Sequence, residues 1–207
     1  MTNELIQEQV KEIKQSFRLM MDGVVAQSMR EKGLCYHLNW GVTLPRLQQK
    51  SEEFGKNYDL AIALWKENVR ECKILASLMM PAEKMLPDVC DIWMEQVPSQ
   101  EIAEQLAFNL WQYLPYAPEK AYQWIASEQE YYQLCGYHVL SRLFMNGQEP
   151  NERGINEFLD QALSALQSSF MPVRKAAMQS MMRFAELGIV YERMAKSATK
   201  SANLDIF

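Results

Sequence analysis

The stretch Asn57–Met80, NYDLAIALWKENVRECKILASLMM, constrains the fold more than any other part of the chain. It reads as two helices with almost no linker. Leu60, Ala61, Leu64 and Trp65 form the stripe of a helix with one buried face. Asn57 suits its N-cap, and Asp59 suits the positive end of the helix dipole. After a turn near Glu67–Asn68, the second helix gathers Val69, Cys72, Leu75, Ala76 and Met79 on one side. Arg70, Lys73 and Ser77 fall on another. A hairpin this short cannot bury its own apolar face, so it needs neighbours of its own kind. Second helices of the same type can be placed at Val69, Ile102, Tyr132 and Val173. HEAT and armadillo units run at about 40–47 residues. These spacings are uneven, and spacing alone leaves an irregular all-α domain open beside a stack of hairpins.

Composition agrees with helix throughout. The 207 residues are 48% hydrophobic, with 8 Gly and 8 Pro and no long β-branched run. No segment approaches the roughly 18 apolar residues of a membrane span. The start MTNELIQEQVKEIK is polar and acidic, unlike a secretory leader. Cys35, Cys72, Cys90 and Cys135 form no CxxC pair and read as reduced thiols of a cytoplasmic protein. His37 and His138 are far apart, so neither a metal nor another cofactor is expected. The net charge of −5 disfavours a nucleic-acid binder unless cations cluster on one face.

Asn3–Lys32 reads as one long amphipathic helix or two, with Leu5, Ile6, Val10, Ile13, Phe17, Met20, Met21, Val24 and Val25 as its apolar stripe. A loop with Tyr36, His37 and Trp40 follows. Thr43 is the expected cap of a helix ended by Gly55. Pro81 and Pro87 break the chain. Asp88–Gln96 is expected to turn Val89, Ile92 and Trp93 inward, and Ser99 to cap Gln100–Tyr113. Ser127–Glu130 has the capping-box pattern for Glu128–Phe144. Asn146–Gly154 is the least patterned stretch, followed by helices over Asn156–Gln167, Pro172–Leu187 and Ile189–Ala198. The tail Ser201–Phe207 is expected to fray. No linker divides the chain, so 1–207 reads as one domain. Within it, 1–40 would be N-terminal capping helices, 41–188 the repeats, and 189–207 a last helix and tail.

The segment GVTLPRLQQKSEEFGKNYDLAIALWKENVRECKILASLMM resembles the AlkD-like DNA alkylation-repair family of HEAT-like repeat DNA glycosylases. EKAYQWIASEQEYYQLCGYHVLSRLF resembles that family's next paired helices, and SSFMPVRKAAMQSMMRFAELG its phenylalanine-then-basic helix. The likeness runs roughly from Gly41 to Gly188. It implies an all-α superhelix, a HEAT-like solenoid of stacked hairpins with a concave face for duplex or branched DNA. It also implies an ancestry of glycosylases that remove cationic alkylated purines without a metal. Such chemistry develops oxocarbenium charge on the sugar, which a carboxylate stabilises, while indole faces favour the cationic base. The resemblance places Ala103 and Ala107 at the family's Trp and Asp, Cys135 at its Arg, and Gln179 at its second Trp. The expected protein therefore binds DNA non-specifically with a degenerate glycosylase site.

A rearranged site is the alternative. Glu104, Ala107 and Trp111 would share one helix face, with Tyr131, Tyr137 and His138 from the next repeat. The plainer reading makes Trp111 core and Glu104 a solvated carboxylate. Trp65, Trp93 and Trp124, with the Met178, Met181 and Met182 stripe, are expected in the core. Arg70, Lys73, Arg142, Arg174 and Lys175 are the expected phosphate contacts. Glu71 and Glu130 lie among them, and a solvated face with weak ion pairs competes with that reading. A scaffold that holds a protein partner in the concave groove is the other class of function compatible with an acidic chain.

Overall fold

The computed structural model describes residues 3–204, 206 and 207, so Met1, Thr2 and the tail position Asp205 lie outside the described residues. Among the described residues the regular structure is helical, and a single bridge between Leu38 and Val69 is the one β-type pairing. Backbone contacts divide the chain into two compact units, Met1–Leu110 and Trp111–Phe207.

The first unit holds α1 (Asn3–Met20), α2 (Gly23–Glu31), α3 (Leu44–Phe54), α4 (Tyr58–Lys66), α5 (Arg70–Met79), α6 (Pro87–Glu95) and α7 (Gln100–Asn109). The α1 stripe buries Ile6, Val10, Ile13 and Phe17. It stops where Asp22 caps α2, its carboxylate accepting the N–H groups of Val24 and Val25. Leu5, Met21 and Val24 are exposed, so the stripe is narrower than the apolar pattern implies. The α4–α5 hairpin forms as expected, with Asn57 Oδ1 accepting the N–H of Leu60. Helix α5 is the centre of the unit, packed by α3, α4 and α7, while α1 lies against α4. Trp65 and Trp93 are buried and stacked, with centroids 4.4 Å apart and planes at 10°. Ile92 is 50% exposed, against the expectation that it faces inward, because Cys90, Trp93 and Met94 supply the buried side of α6.

The second unit opens with a 3-10 turn, Trp111–Tyr113, and continues with α8 (Ala117–Ile125), α9 (Glu130–Met145), α10 (Glu152–Ala165), α11 (Met171–Ala185) and α12 (Ile189–Ser201). Helix α9 is central and packs against both α8 and α11. Its contact with α8 is close at Gly136. A Cβ there would lie 2.7 Å from Ile125 Cγ2 and 2.8 Å from the Ala121 carbonyl. Trp111 and Trp124 meet at 4.8 Å with planes tilted by 53°. Phe144, Phe158 and Phe184 form an aromatic cluster joining α9, α10 and α11.

Two helix starts differ from expectation. Ser127 Oγ accepts the N–H of Gln129 within a turn, and α9 begins only at Glu130. Asn151 caps α10 through the N–H of Gly154, so the helix starts inside the stretch expected as loop.

Candidate nucleic-acid interface

Arg70 is 4% exposed, and its place among the phosphate contacts is corrected accordingly. Its Nε and Nη2 donate to the two Glu101 carboxylate oxygens at 2.8 and 2.6 Å. Its Nη1 donates to the Val42 carbonyl at 3.0 Å and to Glu71 Oε1 at 3.2 Å. Tyr36 donates its hydroxyl hydrogen to Glu101, and its oxygen lies 2.7 Å from Ser99 Oγ, the cap of α7. A guanidinium with three such acceptors has no face left for DNA. Burial alone would raise the Glu101 pKa, but the hydrogen bonds and charge of Arg70, with the Tyr36 hydroxyl, hold it below the usual carboxylate value.

This network has a mechanical product, the loop Leu38–Val42. Glu71 Oε1 accepts the N–H groups of Trp40 and Val42, and the N–H of Arg70 donates to the Leu38 carbonyl. Trp40 is tied from the other side, its carbonyl accepting the N–H of Asp22 at 2.9 Å. Gly41 makes that approach possible. Its φ is +70°, and a Cβ would fall 2.1 Å from the Asp22 carbonyl oxygen.

Against this pinned loop lies α1, and between them runs a groove of about 650 Å³. Gln7, Lys11, Lys14 and Arg18 line it from the helix, with Leu38, Trp40 and Glu67 also contributing. The four helix positions step by four, three and four, so they share one flank beside the buried stripe. Lys14 is paired with Glu67 at 2.6 Å. Lys11 and Arg18 are exposed and have no carboxylate partner among the described residues. The Arg18 guanidinium stands 5.8 Å from the Trp40 ring centroid. Trp40 Nε1–H is buried with no acceptor among the described residues. The cation row lies outside the expected phosphate contacts, although its helical spacing in the sequence is a signal that could have found it. Its aromatic wall left no such signal, because Trp40 reaches it through a loop.

The other expected contacts divide. Lys73 is turned inward, Nζ donating to the Trp65 carbonyl at 2.6 Å and lying 4.2 Å from that ring's centroid. Burial lowers its pKa. Lys175 is exposed on α11, and Arg174, half-buried, directs Nη2 to the Met171 sulfur at 3.6 Å. Neither has a carboxylate partner among the described residues. Arg142 is half-buried on α9, its Nη1 3.9 Å from the Met145 sulfur.

The rearranged site does not assemble as expected. Helix α7 ends at Asn109, and Leu110, at φ −135° and ψ −59°, leaves helical geometry before Trp111. The i, i+7 face that would join Glu104 to Trp111 is therefore broken. Trp111 is wholly buried, and Glu104 accepts from Gln100 Nε2 at 2.8 Å. Tyr137 is buried too, and burial pushes the His138 pKa down to about 4, helped by the nearby Arg142 charge. Ala103, Ala107 and Cys135 are fully buried, and Gln179 is exposed. The methionine stripe is corrected in part: Met181 is buried, but Met178 and Met182 are 42% and 46% exposed. A cleft of about 770 Å³ in the second unit carries Glu119, Glu149 and Glu157 against Arg153, a charge balance unsuited to phosphate. Among the described residues no three His, Cys, Asp or Glu side chains group to hold a metal. No helix of the described residues is long and apolar enough to cross a membrane.

An all-helical chain of hairpins with exposed cations set apart from a buried ion-pair network is the class of protein that the geometry defines. The sequence profile described as DNA alkylation repair enzyme matches residues 13–183, and the chain belongs to that family. Comparison with curated proteins gave no match. The fold is HEAT-like. It superposes with a TM-score of 0.81 on a solved structure described as "a new family of proteins related to the HEAT-like repeat DNA glycosylases with affinity for branched DNA structures". That likeness covers 93% of this chain and 83% of the other at 16% identity, a similarity of fold.

Proposed function

We propose that this protein binds duplex or branched DNA non-specifically and does not release alkylated bases. The observation that carries the reading is a pair of adjacent cations on an acidic protein, Arg174 and Lys175 on α11, with no carboxylate partner among the described residues. Membership of the repair family supports it, as does the affinity for branched DNA of the protein with the similar fold. Arg142 is a further phosphate candidate on α9. The test is binding of plain, alkylated and branched DNA over a salt series. Each lost phosphate contact lowers the salt slope by about 0.9. Arg174→Ala with Lys175→Ala should therefore flatten it by about one to two units. A wild type that binds no DNA at low salt ends the reading.

A second reading, a protein partner, draws on one observation. Met171, Met178 and Met182 are exposed along one side of α11, and exposed methionines suit adaptable apolar contacts. A photocrosslinker at position 178 that captures no discrete protein in cells would remove this reading.

A further inference from the structure

Non-specific duplex binding asks mainly for cations, because the faces of the bases are hidden in the stack. The groove between α1 and the Leu38–Trp40 loop offers something more, an indole beside two cations, Lys11 and Arg18, that have no carboxylate partner among the described residues. We propose that this groove receives an unpaired DNA strand, with phosphates on Lys11 and Arg18 and a base against Trp40. The proposal rests on the DNA-binding reading above and names the part of the DNA that this site takes.

Sites for single strands combine a basic track with aromatic faces on which bases stack. Both components are built here. Lys11 and Arg18 lie two turns apart on one flank, about 10 Å along the helix. That span is on the order of one to two nucleotide steps of an extended strand, so the two cations meet nearby phosphates. Lys14 is neutralised by Glu67 at 2.6 Å, so the negative strand is drawn to Lys11 and Arg18 rather than to the Glu67 edge. Trp40 is held ready by the Glu71 and Asp22 hydrogen bonds to its backbone, so little ordering is left for binding to supply. The guanidinium of Arg18 faces the ring at 5.8 Å. It can turn to a phosphate and leave that face to a base, or remain as the far side of a cation–π layer. An acidic peptide would satisfy the two cations but would leave the flat indole face without a matching surface.

The experiment uses the full chain and three labelled probes in fluorescence anisotropy: oligothymidylate, a strand of the same length made of abasic sites, and blunt duplex. Lys11→Glu with Arg18→Glu changes exposed side chains, and circular dichroism checks that the helices persist. This variant should lose about tenfold or more in affinity for oligothymidylate and under about threefold for duplex. Trp40→Leu should lose about tenfold on oligothymidylate while Trp40→Phe keeps a stacking face and most of the affinity. The abasic strand should bind the wild type about tenfold more weakly and ignore Trp40→Leu. Equal binding of abasic and thymidylate strands overturns the proposal, as does an equal loss on strand and duplex. Displacement of oligothymidylate by a polyglutamate peptide at equal concentration overturns it too. A wild type that binds duplex but no single strand sinks this inference and leaves the DNA-binding reading standing. One that binds neither ends both.

Discussion

Arg70 and Glu101 are joined by a two-pronged ion pair, Nε and Nη2 of the guanidinium on the two carboxylate oxygens at 2.8 and 2.6 Å. The residues are 31 positions apart in the chain, and the pair bridges α5 and α7. Glu71, wholly buried, shares the same guanidinium. Arg70→Ala should therefore destabilise the protein by roughly 3–5 kcal/mol, because it leaves a buried carboxylate uncompensated. Arg70→Lys should not restore the loss, since an ammonium cannot present the planar fork. Guanidinium chloride unfolding measures both, and an unchanged midpoint for Arg70→Ala would contradict the structural role.

The same ion pair sets a limit in acid. Glu101 has a folded pKa below its ordinary 4.5, so its contribution to stability is complete above that pH. It is lost as pH falls through the lower folded value. Glu101→Gln should flatten the stability curve in that acid range and leave the curve above it nearly parallel to wild type.

His138 governs a higher window. Burial, then the Arg142 charge, lowers its pKa from 6.5 to about 4, so the folded protein holds it neutral. Its contribution is full above pH 6.5 and is lost as pH falls towards 4, where the unfolded chain binds the extra proton. The shift corresponds to roughly 3 kcal/mol across the window. Thermal midpoints of His138→Gln at a series of pH values should lack this slope. A slope equal to wild type between those limits would remove His138 as its source.

Gly136→Ala tests the α8–α9 contact. In an open helix the change is stabilising by about 0.5–1 kcal/mol. Here the new Cβ meets the Ala121 carbonyl at 2.8 Å and the Ile125 nitrogen at 2.9 Å, and backbone atoms must move. The net outcome should be a loss of about 1–3 kcal/mol. A stabilised variant would show that the two helices separate freely.

Incubation with methylated DNA should release no 7-methyl or 3-methyl purine above a no-enzyme control. Ala107 supplies no carboxylate for the developing oxocarbenium charge, and Cys135 supplies no guanidinium fork. Loss of one such preorganised group costs about 10²–10³ in rate. If release is nevertheless found, Glu104→Gln becomes the decisive variant. Its inactivity would establish Glu104 as the carboxylate in use.

Much of the helical framework was legible because local signals agreed with burial. Asn57 and Ser99 cap the helices that their positions announce. The stripe of α4 is buried at Leu60, Ala61, Leu64 and Trp65. The failures share a cause, which is that the deciding partner is distant. Nothing near Arg70 signals that Tyr36 and Glu101 close over it. Helical periodicity runs on through Leu110, and only the buried seat of Trp111 against Trp124 accompanies the change of path there. Met178 and Met182 carry the right residue type for a core, but Ala176, Ala177, Ser180, Met181 and Phe184 fill the buried face of α11.

The two tryptophan pairs supply optical reporters that no label need provide. Trp65 and Trp93 lie nearly parallel in the first compact unit, and Trp111 and Trp124 meet at a tilt in the second. Indoles this close couple their strong electronic transitions, and the sign and shape of the resulting far-ultraviolet couplet depend on how the two transition dipoles are oriented. Each unit thus carries a spectral signature of its own packing. Replacing Trp93 by Phe silences one signal and leaves the other, so melting followed by circular dichroism can ask whether the halves of the chain lose their structure together or in turn.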